Sequence, residues 1–121
     1  MSKAEKRKQP RKKVGFTVTV TRIIRGNEVL AKPSGFLFIG TEISAGGMGI
    51  ETDAPIMAND LLSLNFNLPG EKIMLALTAR VLNMAEVKNA KKVRLGIRFE
   101  GLSQLDQTYL SNYIGTTFLI Y

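Results

Sequence analysis

The sequence predicts an all-β fold with one C-terminal helix, arranged as an antiparallel barrel, and three observations carry that prediction. Short segments with two-residue alternation follow one another along most of the chain, turn-forming residues separate them closely, and helical spacing appears only after residue 101. Many short strands joined by close turns favour a barrel, because closing the sheet removes its exposed edges.

The elements follow in chain order. Val14, Phe16, Val18 and Val20 alternate with Thr17, Thr19 and Thr21, which predicts a first strand. Arg25-Gly26-Asn27-Glu28 supplies turn chemistry, and Lys32-Pro33-Ser34-Gly35 predicts a second turn before a short apolar strand at 36–39. A brief strand follows at 48–51. Leu62, Leu64, Phe66 and Leu68 then alternate with Ser63, Asn65 and Asn67 up to the Pro69-Gly70 turn. The last two strands fall at 73–84 and 93–99, joined by a polar hairpin loop around Lys88-Asn89. Ser103 with Asp106 three residues later resembles a capping box. Leu102, Leu105, Tyr109, Leu110, Tyr113 and Ile114 recur at helical spacing, with Gly115 as the stop. This predicts one amphipathic helix over a barrel opening. Residues 116–121 are apolar and fit an added strand, packing on the body or a partner contact equally well.

With 121 residues the chain holds one core and no second ordinary domain. Hydrophobic residues at 45% and charged residues at 22% are a globular balance. The absence of cysteine excludes disulfides and thiolate metal sites, so the fold rests on burial and hydrogen bonding. No apolar run approaches the ~20 residues that span a bilayer, and no signal-peptide core follows the lysine-rich start, so a cytoplasmic protein is expected.

The net charge of +7 is unevenly placed. Lys3, Lys6, Arg7, Lys8, Arg11, Lys12 and Lys13 face only Glu5 in residues 1–13, so the body from 14 to 121 is nearly neutral. Residues 1–13 are therefore expected to form a flexible basic arm that seeks an anionic partner. Catalysis is not expected. The chain has neither His nor Cys, and Gly46-Gly47-Met48-Gly49 lacks the Gly-Lys-Ser/Thr ending of a phosphate loop.

Two segments carry the remaining chemistry. Arg7-Lys8-Gln9-Pro10-Arg11 sets two guanidinium groups four residues apart, and such groups hold phosphates through forked hydrogen bonds, pair with guanine O6/N7 and stack on bases. In Thr41-Glu42-Ile43-Ser44-Ala45-Gly46-Gly47, an extended segment would point Glu42 and Ser44 to the same side, as acceptors for a purine edge. The same residues also fit a glycine-rich connection whose Glu and Ser satisfy local amides.

Together these motifs resemble the PilZ domain family. The resemblance rests on Arg-x-x-x-Arg at Arg7 and Arg11, on Glu42, Ser44 and Gly47 at the Asp/Asn-x-Ser-x-x-Gly positions, and on Leu95-Gly96-Ile97-Arg98-Phe99 ahead of a loop and helix. It runs from Arg7 to about Ile114. Glu42 departs from the family's Asp or Asn, and its extra methylene carries the carboxylate outward by roughly one bond length.

The resemblance implies a six-stranded antiparallel barrel that binds cyclic di-GMP on its outer wall as a ligand, with no cofactor. By similarity, Arg7 and Arg11 would grip phosphates and guanine, while Glu42, Ser44 and Gly47 would meet the other guanine edges. Strand parity adds Arg98, which faces outward if Val93, Leu95, Ile97 and Phe99 face the core. Ligand binding would order the arm and alter the surface shown to an unidentified effector protein, in a monomer or a ligand-dependent dimer. Bacterial second-messenger control of motility or biofilm formation is the setting that this implies. Two alternatives stand beside it: an adaptor of the same family that binds protein without nucleotide, and a small basic barrel that binds nucleic acid. Against the latter, Tyr109 and Tyr113 lie on the presumed buried helix face, which leaves the strands without an aromatic platform for bases.

Overall fold

Alternating apolar and polar residues build six strands in the computed structural model, which describes residues 12–87 and 91–119. They are β1 (Lys12–Arg25), β2 (Glu28–Ile43), β3 (Gly47–Thr52), β4 (Leu61–Asn67), β5 (Met74–Glu86) and β6 (Val93–Glu100), followed by the helix α1 (Gln104–Leu119). Every pairing is antiparallel, and the order β1-β2-β3-β6-β5-β4 closes through β1 and β4. The barrel with one C-terminal helix is the expected architecture.

Inward residues of all six strands form one core, including Val18, Phe38, Ile50, Leu64, Val81 and Leu95, each at most 1% exposed. Full burial of such side chains stabilises by about 2 kcal/mol apiece, so this interior is what holds the wall closed. Phe16 fills the space that Gly40 leaves open across the β1–β2 pair, and its ring leans on Phe66 at 5.6 Å.

The sequence pattern misplaces one turn. Lys32-Pro33-Ser34-Gly35 does not end a strand. It lies inside β2, where the pairing passes from Val20 with Phe36 to Arg22 with Ala31 and the extra residues bulge outward. Gly35 takes φ +75° there, in the left-handed region that suits glycine. Three other register shifts interrupt the ladders, at Lys13/Phe16 in β1, Gly40/Glu42 in β2 and Val81/Asn83 in β5. The shift at Val20/Arg22 moves the inward set of β1 from Val18 and Val20 to Ile23.

Helix α1 begins as the capping signal predicts, with the Ser103 hydroxyl accepting from the Asp106 amide at 3.0 Å. It continues past Gly115 to Leu119, so that glycine is not its stop. Leu110 and Ile114, one turn apart, are its buried residues among the described side chains, and Leu110 joins the barrel core. Leu105 instead points to solvent at 79% exposure, because the contact face starts only at Tyr109. The Tyr109 hydroxyl donates to Glu71 at 2.9 Å and the Tyr113 hydroxyl donates to the Pro69 carbonyl at 3.0 Å. These bonds fix the helix to the β4–β5 turn. Burial, with the Glu71 carboxylate nearby, raises both phenols above their ordinary pKa and keeps them donors.

Away from the helix, the β3–β4 connection is tied to the end of β1 by Asp60, whose side chain is 1% exposed. Its carboxylate accepts from Arg25 Nε at 2.9 Å, Arg25 Nη2 at 2.8 Å and the Met57 amide at 2.9 Å. Burial alone would raise the Asp60 pKa. The Arg25 fork, the Met57 amide and the guanidinium charge outweigh that and hold it below the ordinary value.

Candidate ligand groove on the barrel wall

Strands β2, β3, β6 and β5 stand side by side, and their outward faces enclose a groove of about 520 Å³. Its floor is made by Gly49 of β3 and Gly96 of β6, which pair directly across the two strands. Neither contributes a side chain. A Cβ on Gly49 would lie 3.0 Å from Glu42 Cγ and 3.1 Å from Thr41 Oγ1, and one on Gly96 would lie 2.7 Å from Asn83 Oδ1. Glu42 and Thr41 therefore form one wall and Asn83 the other, with Leu82 and Ala85 beside it. Arg94 closes one end and is paired to Glu51 at 3.0 Å.

The connection between β2 and β3 is a short turn held by its own polar groups. The Ser44 amide donates to the Gly47 carbonyl at 2.9 Å, and the Ser44 hydroxyl accepts from the Gly46 and Gly47 amides at 3.3 and 3.2 Å. The turn is also tied to β6, because the Phe99 amide donates to the Gly46 carbonyl at 2.9 Å. Gly47 is needed for this approach, since a Cβ there would lie 2.1 Å from the Ile97 carbonyl oxygen. Ser44 is 5% exposed and spends its hydroxyl inside the turn. Glu42 and Ser44 thus do not project together as a uniform extended segment would have them. Glu42 lies over the glycine floor, while Ser44 and Gly47 shape the turn that ends the groove wall.

Arg98 sits opposite Gly47 in the β3–β6 register and is 59% exposed, outside the groove lining. Its guanidinium lies 3.5 Å from Glu100, which is held by Arg80 at 2.8 Å. Those bonds, first from Arg80 and then from Arg98, keep the Glu100 pKa below its ordinary value. Arg80 and Arg98 face each other across β5 and β6, giving a cationic surface beside the turn. Arg7 and Arg11 lie outside the described residues. The pairing of Lys12 with Ile43 and Lys13 with Glu42 nevertheless brings the start of β1 alongside the groove wall.

Of the groove lining the sequence reading singled out Glu42 alone, and Asn83 and Arg94 are the polar side chains of β5 and β6 that it missed. Arg94 carried a signal, because outward parity places it with Arg98. Asn83 did not. In an uninterrupted strand whose inward residues are Leu75, Leu77, Ala79 and Val81, position 83 also points inward. The register shift after Val81 turns it to the outer face, opposite Gly96.

Among the described residues no helix is long and apolar enough to cross a membrane, and no group of Asp and Glu side chains could hold a metal ion. Among curated proteins none matches the chain in sequence. Solved structures do match it in fold. The inhibitor of motility MotI from Bacillus subtilis superposes with a TM-score of 0.70 at 19% identity, covering 94% of this chain and 52% of that one. YcgR from Escherichia coli in complex with c-di-GMP gives 0.70 at 19% identity, covering 94% and 46%. The PilZ domain of YcgR with c-di-GMP gives 0.67 at 19% identity, covering 91% and 89%. The chain thus spans about half the length of MotI and of whole YcgR, and nearly all of the isolated domain. A profile of the PilZ domain matches residues 5–115, an interval that takes in both motifs, all six strands and most of α1. With the barrel order, the motif turn and this match in agreement, the chain belongs to the PilZ domain family.

Proposed function

We propose that the chain is a receptor for cyclic di-GMP that binds the ligand on the β2–β3–β6–β5 wall and acts through a protein partner rather than by catalysis. The observation that carries this reading is the register of β1 on β2. Lys13 pairs with Glu42, so Arg11 precedes by one residue a strand that already borders the groove. Arg7 stands four residues earlier, within roughly 14 Å of chain, which is enough to cross the wall. In this reading residues 1–11 act as the arm, two residues shorter than the sequence pattern predicts, because Lys12 and Lys13 already pair in β1. Arg7 and Arg11 grip the two phosphates and stack on guanine, and Glu42 accepts from guanine N1–H and N2–H. Ser44 and Gly47 hold the turn in shape, and Arg98 borders the ligand with its free edge. The structures of YcgR solved with c-di-GMP support the choice of ligand.

Ordering the arm costs on the order of 1 kcal/mol for each backbone residue fixed, so the phosphate contacts must outweigh that cost. Covering the wall with an ordered arm would then change the surface offered to an effector protein. Titration calorimetry with cyclic di-GMP is expected to give saturable binding. Arg7→Ala or Arg11→Ala should weaken it by about tenfold or more, since hydrogen bonds to charged groups are the strong ones. Binding should also weaken as salt rises to roughly 0.5 M, because exposed charge pairs are screened. Full affinity in both arginine variants would exclude the grip, and a flat titration of the unaltered chain would exclude the ligand. Displacement of labelled cyclic di-GMP by single-stranded RNA without preference for guanine would favour a nucleic-acid barrel instead.

A further inference from the structure

The first half of β2 is a sheet edge. Strand β3 pairs with β2 only from Ile39 to Ile43, so among the described residues Glu28–Ala31 pair with β1 alone. The hairpin decides where their backbone groups point. Arg25 and Glu28 flank the two-residue turn as a hydrogen-bonded pair, and bonded pairs alternate along an antiparallel ladder. Glu28 and Leu30 therefore direct their N–H and C=O groups to β1, while those of Val29 and Ala31 face outward along the edge. Val29 is 56% exposed, and Glu28, Ala31 and Lys32 are exposed beside it. Such a row of free donors and acceptors is a template for another strand.

The chemistry of this edge is self-complementary. Glu28-Val29-Leu30-Ala31-Lys32 has an acid at one end, a base at the other, small apolar residues inside them and Leu30 at the centre. Two such segments laid antiparallel about a two-fold axis through Leu30 set Val29 opposite Ala31 of the second copy, in bonded pairs on either side of the axis. Leu30 then meets Leu30, and Glu28 meets Lys32 at both ends. These are the positions without backbone bonds, where facing side chains stand closest. Glu28, Leu30 and Lys32 also share one face of the strand, on which Leu30 packs against the core and Lys32 lies 5.2 Å over the Phe36 ring. Sliding the register either way sets Leu30 against a charged residue, Glu28 or Lys32.

We propose that the chain forms a two-fold dimer through this edge of β2, with Glu28 paired to Lys32 of the second copy at both ends. Opposite charges meet there although each copy carries a net +7. The ends also stop further growth. The Gly26-Asn27 turn closes one end, and beyond Lys32 the chain bulges through Pro33, which has no N–H, to Gly35 at φ +75°. Pairing occupies the edge of both copies, so the assembly closes at two. The proposal stands apart from the cyclic di-GMP reading, because this segment lies at the opposite end of β2 from the motif turn. Five residues a side make a small interface, so a dissociation constant on the order of 100 μM is expected.

The test is sedimentation equilibrium of the full chain without ligand, from about tenfold below to about tenfold above that concentration, with a thermal melt of each variant. The unaltered chain should pass from monomer to dimer. Glu28→Lys and Lys32→Glu each set like charges together at both ends and should each weaken dimerisation by about tenfold. Mixed in equal parts, these two variants should dimerise as well as the unaltered chain, because every facing pair is again of opposite sign. Ala31→Pro removes two of the four backbone bonds between copies and none to β1, so it should also weaken dimerisation by about tenfold. Each changed side chain is exposed, so all three variants should melt close to the unaltered chain at low concentration. A chain that stays monomeric throughout overturns the dimer and leaves the edge to a strand of another protein. Dimerisation that Ala31→Pro or both charge variants leave unchanged overturns it as well. Failure of the mixture to recover, with the melts unaltered, overturns the antiparallel register.

Discussion

Replacing Gly47 with alanine is expected to cost about 3 kcal/mol, at the upper end of what overpacking does, because the new methyl meets backbone rather than a side chain that can move. The Ile97 carbonyl oxygen would lie 2.1 Å from it and the Arg98 Cα 3.3 Å. Strands β3 and β6 would have to separate, and with them the Gly46 to Phe99 bond that ties the turn to β6. For a domain of this size the melting temperature should fall by roughly 12 °C. Gly115→Ala supplies the contrast. Nothing lies within 4 Å of a Cβ there, and the residue is inside α1, so alanine should stabilise by up to about 1 kcal/mol. If Gly47→Ala and Gly115→Ala melt together, the close approach of β3 to β6 is wrong.

Asp60→Ala should have the second large effect, about 2 to 3 kcal/mol, measured as a shift in the urea midpoint at neutral pH. The substitution leaves the Met57 amide and the Arg25 fork without their acceptor and unties the β3–β4 connection from β1. The pH dependence has a definite sign. The folded pKa of Asp60 lies below its ordinary value, so the stabilisation is fully present above that value, near 4, and is lost as pH falls through the folded one. The gap in stability between the unaltered chain and Asp60→Asn should therefore be constant from pH 7 to about 5 and shrink below about 4. A gap of the same size at pH 2.5 would mean that the charge is irrelevant.

Both effects arise from residues whose importance the sequence conceals. The barrel itself was legible because each strand buries one face, and a face is a local pattern: Val18 and Val20, Leu62 and Leu64, Leu95 and Ile97 announce it within a few residues. Ser103 announced the helix start for a similarly local reason. What could not be read was anything set by a neighbour distant in sequence. Nothing next to Asp60 in the sequence marks it, because its partner Arg25 is 35 positions away. Gly47 looked like freedom for a loop, yet its constraint is the carbonyl of Ile97. Leu105 matched the helical spacing and still faces solvent, because α1 meets the barrel only from Tyr109 onward. For the site, Glu42 was legible as chemistry and Asn83 was not, since one extra residue in β5 decides which way it points.

The paired glycines of the groove floor carry a mechanical consequence. Facing side chains normally help to stitch neighbouring strands together, and between β3 and β6 that stitch is absent at Gly49 and Gly96, leaving the seam to its backbone bonds and to the residues above and below. Glu42 from β2 and Asn83 from β5 lean over the two glycines instead, so each flanking strand supplies the contact that its inner neighbour lacks. The seam is braced from its flanks, and displacing either side chain would loosen β3 and β6 together.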